Sequence, residues 1–255
     1  MGPLPRRAAW LAAPGAYDGV MPTSPLPVVP AVQLVLASAS PARLATLRAA
    51  GIEPVVVVSD VDEDLAVAEA TERYGPLEPG DIALLLARAK AEDVAARLED
   101  RMVVLGCDSV LELDGEVHGK PVGAAEAVAR WRRMRGRSGV LHTGHWLVDD
   151  RGPGGATLGA TASTTVHFAD LSDDEIQAYV ATGEPLTVAG AFTIDGLGGA
   201  FVTAVEGDPH NVVGLSLPLL RELLADAGIG WFDVVGSLGS RPEASHSSLR
   251  RTGQG

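Results

Sequence analysis

The sequence predicts an α/β protein built on a mixed sheet flanked by helices. Three observations carry that expectation. Between residues 31 and 235, short β-branched apolar runs alternate with stretches of helical period, the pattern of strand and crossover-helix units. Asp114 and Gly115 stand between VLEL and EVHG, a strong signal for a two-residue hairpin turn. Two long strand-like stretches, 140–148 and 156–168, are joined by a Gly/Pro loop at 150–155, which predicts an antiparallel pair. Crossovers make parallel pairs and hairpins make antiparallel ones, so a chain with both needs a mixed sheet.

The first unit runs from Leu34 to Ile52, LVLASASPARLATLRAAGI. Val32 to Leu36 reads as an interior strand that Ser38, Ala39 and Ser40 interrupt. Ser40 as N-cap, Pro41 at the first helical position and Gly51 just past the last periodic residue mark one helix. Free backbone N–H groups, two serine hydroxyls and Arg43 converge at its start, which suits a phosphate. The competing reading is an ordinary capped turn with a solvated Arg43.

A strand at 54–58 follows, then an acidic loop, SDVDED, at 59–64. A helix is expected over 81–98, with Ile82, Leu85, Leu86 and Ala89 on its apolar face. Met102 to Cys107 reads as a buried strand ending at Asp108, before the hairpin at Asp114. A helix at 124–134 stops near Gly136, and Ser172 with Glu175 three residues on forms a capping box for another that Gly183 closes. The last third holds a Gly-rich turn at 195–199, a strand at 201–205 and a helix at 217–227.

Composition narrows the function classes. The 255 residues are 46% hydrophobic and 21% charged, as in ordinary globular proteins. No run approaches the roughly 18 uninterrupted apolar residues of a membrane span. A formal net charge of -13 and a pI near 4.8 repel a nucleic-acid polymer, although local cations or a metal still permit a small phosphate ester. The single Cys107 excludes an intramolecular disulfide and fits a reducing cytoplasm. Residues 1–30, with seven prolines and no period, are expected to be a disordered extension, and 236–255 a disordered tail, leaving 31–235 as the folded domain. Arg6 and Arg7 ahead of Ala8 to Ala13 hint at a signal peptide, but Pro14 and Gly15 cut that apolar run short.

Asp60, Asp62, Glu63 and Asp64 follow one strand and Asp108 another, so carboxylates at neighbouring strand ends offer oxygen ligands to a hard divalent cation. For Asp60 and Asp64 a solvated loop is the better reading. Asp108, after the apolar VVLGC, is costly to bury without a partner. GEVHGK at 115–120 is not a P-loop, because three residues rather than four separate its glycines and Pro121 replaces the metal-binding Ser or Thr. Lys120 remains able to meet a phosphate as a point charge. Lys90, taken alone, reads as a surface residue. His142 and His145, three apart in a strand, point to opposite faces and make a poor metal pair.

Taken together, LASASPARLATLRAAGI, SDVDED, LARAKA, GCDSVLELDGEVHGKP, RGRSGVLHTG, TGEPLTVAGAFTIDGLGGAFV and EGDPHNVVGLSLPLL resemble the Maf family of nucleoside triphosphate pyrophosphatases, over roughly Val32 to Gly230. The resemblance implies a two-lobed α/β fold with its active-site cleft between the lobes, similar to that of the inosine triphosphate pyrophosphatases, and often a homodimer. It implies hydrolysis of nucleoside triphosphates to monophosphate and pyrophosphate with a divalent metal, Mg or Mn, and removal of noncanonical or modified nucleotides. Carried across, Asp108 is the general base or a metal ligand, Glu63 its metal partner, and Lys90 and Lys120 neutralise phosphate charge. Ser38, Ser40 and Arg43 match the phosphate-cradling motif. Three positions tied to substrate choice depart from commoner patterns: Ala42 replaces arginine, Ser109 replaces threonine, and Asp195 replaces the glutamine of the group that prefers thymidine and uridine triphosphates. The competing readings are a nucleotide-binding regulator of division without turnover and a hydrolase of another phosphate ester.

Overall fold

Four consecutive buried residues, Leu34–Ala37, form strand β1, as expected of a parallel strand covered on both faces. The computed structural model describes residues 30–152 and 155–235, so the expectations for the extension, the tail and the centre of the 150–155 loop fall outside it. The remaining strands are β2 (Val55–Val56), β3 (Val103–Leu113), β4 (Glu116–His118), β5 (Ser138–Asp149), β6 (Ala156–Phe168) and β7 (Val202–Glu206). They form one seven-stranded sheet in the order β2-β1-β3-β5-β6-β7, with β4 paired beside β3 off that path. β1 runs parallel to β2 and β3, and the other pairs are antiparallel, so the predicted mixed sheet and the β5/β6 pair are both present. At the predicted hairpin, Asp114 (φ 59°) and Gly115 (φ 78°) both adopt the left-handed conformation that such a turn requires.

The helices are α1 (Pro41–Ala49), α2 (Glu63–Tyr74), α3 (Pro79–Arg97), α4 (Ala124–Met134), α5 (Asp173–Ala181), α6 (Pro209–Val213), α7 (Leu217–Asp226) and α8 (Trp231–Val235). None among the described residues is long and apolar enough to cross a membrane. A small apolar cluster packs Ala91 and Val94 of α3 on Val35, Ala37 and Val104, and two larger cores lie along the long strands. One joins Leu36, Leu47, Leu105, Leu147 and Leu220. The other surrounds Trp131, whose indole meets the rings of Phe168, Tyr179 and Phe201 edge-on at 5.5–5.9 Å. On β3 the first core ends at Cys107 and the second begins at Leu111. These cores are the two lobes, and Asp108, Ser109 and Val110 lie on the seam between them.

The same three residues sit in a gap at the strand edge. β1 borders β3 from Val103 to Gly106, and β4 borders it from Leu111 to Leu113. Residues 107–110 therefore have no strand on that side. The gap lies between the C-terminal ends of β1 and β4, and a crevice outside the carboxyl ends of strands is where open α/β sheets bind ligands.

Three expectations need correction. Asp108 does not end a strand, because the predicted strand and the following hairpin arm are one continuous β3. The acidic stretch is only partly a loop: Asp62 accepts from the Leu65 N–H as N-cap, and Glu63 opens α2. That helix gave no periodic signal, since Ala70 is its only buried residue and Glu and Ala propensity sustains it. The buried face of α3 is Ala83, Leu86, Ala87, Lys90, Ala91 and Val94, shifted from the predicted Ile82, Leu85, Leu86 and Ala89. Glycines in the sheet cause the shift. A Cβ at Gly106 would fall 2.2 Å from the Ala87 carbonyl oxygen, and one at Gly144 2.2 Å from that of Ala83. Helix and sheet backbones touch, so alanines rather than the larger Ile82 and Leu85 must face inward.

His142 and His145 do point to opposite faces. His142 bonds Glu112 at 2.9 Å and Ser163 at 2.8 Å, whereas His145 is buried beneath α7. The His145 ring accepts from the Ser216 N–H through Nε2 at 2.8 Å and donates through Nδ1 to the Thr143 carbonyl at 3.0 Å, which requires the neutral imidazole. Burial lowers its pKa from 6.5 to about 4, partly opposed by that carbonyl. A depressed folded pKa means the unfolded chain takes the proton first. This stabilisation is therefore complete above pH 6.5 and lost as pH falls toward 4, about 3 kcal/mol in all. Urea unfolding at pH 7 and pH 4.5 should show that loss in the native chain and a smaller one in His145→Gln, whose amide makes both bonds without titrating. Equal losses would contradict it.

Candidate active site

Lys90 projects from the sheet-facing side of α3 into the gap at the edge of β3. The surface position expected for it is wrong, because its side chain is only 11% exposed. Its Nζ lies 2.6 Å from Asp108 Oδ1 and 2.7 Å from Glu63 Oε1. A buried ammonium between two carboxylates satisfies the charge that made Asp108 hard to place. Burial pushes the Asp108 carboxyl above its usual range, while Lys90 and Arg43 pull it back. Glu63, half exposed at the first turn of α2, closes the cluster on the solvent side.

The second group of predicted residues meets one position along β3. Arg43 is buried, and its Nε donates to the Gly214 carbonyl at 2.7 Å. Its two Nη atoms donate to Ser38 Oγ and Ser109 Oγ, each at 3.0 Å. Arg43 is thus not a solvated surface charge; it clasps the β1–α1 turn to β3 and to the segment after α6. Thr143 gives its one hydroxyl proton to the Asn211 carbonyl at 3.1 Å. It must then accept from Ser109 at 2.9 Å, which sets a directional chain from Arg43 through Ser109 to Thr143. Ser38 Oγ accepts from Arg43 and from the Ser40 N–H at 3.2 Å, which leaves its own proton free to donate. Ser40 caps α1 by accepting from the Arg43 N–H at 3.4 Å.

Lys120, Asp195 and Ala42 join neither group through a hydrogen bond or ion pair among the described residues. Lys120 is exposed in the loop after β4, on the far side of the same gap. Asp195 is exposed in a turn, and Ala42 is half-buried in the first turn of α1.

Several contributors were not singled out from the sequence. Asn211 is fully buried and donates to the Leu141 and Ala162 carbonyls and to Thr164 Oγ1 at 3.0–3.2 Å, tying α6 to β5 and β6. Only the Asp-Pro helix start at 208–209 hinted at an ordered element there. Glu184 gathers the Asp195 turn, accepting from Tyr179, Thr193 and the Leu197 and Gly198 N–H groups at 2.6–2.9 Å. Burial favours its protonated form, but these donors outweigh it and hold the carboxyl below its usual range.

The family profile described as Maf-like protein matches residues 33–227. The chain belongs to the Maf family. A protein of Salinispora tropica named nucleoside triphosphate pyrophosphatase is 60% identical over 202 residues, 78% of this Maf chain and 85% of its own length. One of the same name from Leifsonia xyli is 56% identical over 207 residues, with 80% and 96% covered. Another, from Streptomyces coelicolor, is 55% identical over 202 residues, with 79% and 93% covered. The matched span contains both groups of residues in the Maf crevice, from Ser38 to Gly214.

Proposed function

We propose that this chain hydrolyses nucleoside triphosphates to the monophosphate and pyrophosphate, clearing noncanonical or modified nucleotides. Family membership and the shared name of its relatives support the reaction. The observation that carries the assignment to residues is the buried Lys90 clasped by Asp108 and Glu63 beside the Arg43-braced serines.

In this reading the triphosphate lies along the gap of β3. The free Ser38 hydroxyl, the α1 start and Lys120 hold phosphate oxygens, and Arg43 fixes the turn that presents them. Asp108 accepts a proton from the water that attacks the α-phosphorus; a carboxyl with a raised pKa is a better base than an ordinary one. Lys90 keeps Asp108 oriented and stabilises charge on the phosphoryl oxygens as pyrophosphate departs. A binder without turnover has no use for such a base.

The donor set also fits a divalent metal. Glu63 and Asp108 each turn one carboxylate oxygen to Lys90, so their remaining oxygens are the ones that would hold Mg²⁺ or Mn²⁺, which takes one or two carboxylates and keeps water in its shell. When bound, the metal supplies further neutralisation of phosphate charge. Asp195 accepts hydrogen bonds where an amide would also donate, which favours a base edge that presents N–H groups. The same reading has a nucleotide as the partner, in the cytoplasm, with no membrane or nucleic-acid polymer bound. The Cys107 thiol, pushed up to about 12 by burial, is inert there.

A panel of canonical and modified nucleotides, with Mg²⁺, with Mn²⁺ and with chelator, tests this. Metal-dependent pyrophosphate release is expected, and the preference should move in Asp195→Gln. Orthophosphate release would favour a hydrolase of other phosphate esters. Binding without release would favour a regulator.

A further inference from the structure

Lys120 presents a physical problem, because an exposed lysine is a flexible point charge that the fold controls only through the backbone that carries it. That backbone is held on both sides by one pair of side chains from α4. Arg130 is only 4% exposed, and its Nη1 donates to the Gly119 carbonyl at 2.5 Å. Its Nη2 donates to Glu126 Oε1 at 2.5 Å, and Glu126 Oε2 accepts from the Val122 N–H at 2.8 Å. Residues 119 and 122 are therefore the two ends of one charged bracket, with Lys120 and Pro121 between them. The Gly190 N–H adds a second bond to the Gly119 carbonyl at 3.1 Å, which joins the bracket to the segment leading to Asp195.

Simple stability does not account for this arrangement. A guanidinium buried beside the apolar core of Trp131 gives up much of its hydration, and its Nε has no partner among the described residues. An apolar side chain at that position on α4 would pack without the desolvation. What the ion pair adds is a fixed position for one short stretch of backbone.

We infer that Arg130 and Glu126 are positioning residues that aim Lys120 across the crevice at the substrate phosphates. The inference rests on the reading of Lys120 as a phosphate-binding cation. Lys120→Ala should lower kcat/KM for pyrophosphate release about 10²-fold. Arg130→Met removes the bracket, while Gly119 keeps its bond from Gly190. Glu126→Gln is the milder variant, since its side chain is 44% exposed. An amide has only one acceptor oxygen and sets a donor against either Arg130 or the Val122 N–H. Each variant alone should lower kcat/KM about tenfold, the scale of a sub-ångström misplacement.

The decisive readout is the double-mutant cycle, because a merely structural defect would lower activity in any background. Once Lys120 is already alanine, neither Arg130→Met nor Glu126→Gln should cause further loss. Additive losses would overturn the inference, as would native kcat/KM in both variants while Lys120→Ala is impaired. If Lys120→Ala itself kept native kcat/KM, the phosphate role of Lys120 would fall and the bracket with it. Thermal unfolding of Glu126→Gln, expected near the native midpoint, separates misplacement from misfolding.

Discussion

Asp108→Asn should lower kcat/KM for pyrophosphate release by about 10²–10³ or more while the protein stays folded. Asparagine fills the same space and still accepts a hydrogen bond from Lys90, which keeps Glu63 as its charged partner at 2.7 Å. It cannot accept a proton from water. Because burial holds the native carboxyl above its usual range, the carboxylate needed as base is lost at a higher pH than an exposed Asp would lose it. The acid limb of the native kcat/KM profile should therefore lie at higher pH than an ordinary aspartate would give, and it should be absent from the residual activity of the variant. Full activity in Asp108→Asn would remove Asp108 from the chemistry and with it the mechanism proposed above.

The second large effect should come from a single methyl group. In Gly106→Ala, the new Cβ would lie 2.2 Å from the Ala87 carbonyl oxygen and 2.8 Å from the Ala91 nitrogen, both backbone atoms of α3. Neither can rotate away, so α3 must move out by about 1 Å to restore van der Waals distance. Overpacking of this kind costs about 1–3 kcal/mol, and a backbone clash belongs at the upper end of that range. Lys90 rides on α3 between Ala87 and Ala91 on the buried face, so the same shift draws its ammonium away from Asp108. Urea denaturation should show the lost stability, and the folded fraction should also lose activity. Gly152→Ala, in a loop with nothing within 4 Å of the added Cβ, is the control and should remain near native. If both variants matched the native midpoint, the close helix–sheet contact would not have the role given to it.

Much of the fold was legible because its signals are local. The capped start at Ser40 and Pro41, the capping box at Ser172 and Glu175, and the Asp114-Gly115 turn each depend on a few adjacent residues. The strand alternation that put His142 and His145 on opposite faces is equally local. α2 escaped because it buries one residue and shows no apolar stripe, and the inner face of α3 was misassigned because small residues rather than large ones mark a backbone contact.

The sequence by itself determined the α/β class, the order of most elements, the family resemblance, and the list of charged and hydroxyl residues available for phosphate chemistry. Only the tertiary structure decided which of these residues meet. Lys90 joins Asp108 across 18 positions and Arg43 joins Ser109 across 66, and no local rule reports either contact. The reason is physical: propensity and periodicity are set by neighbours along the chain. The position of the Lys90 ammonium is set instead by two glycines on β3 and β5, which let α3 settle onto the sheet and carry it into the gap at Asp108.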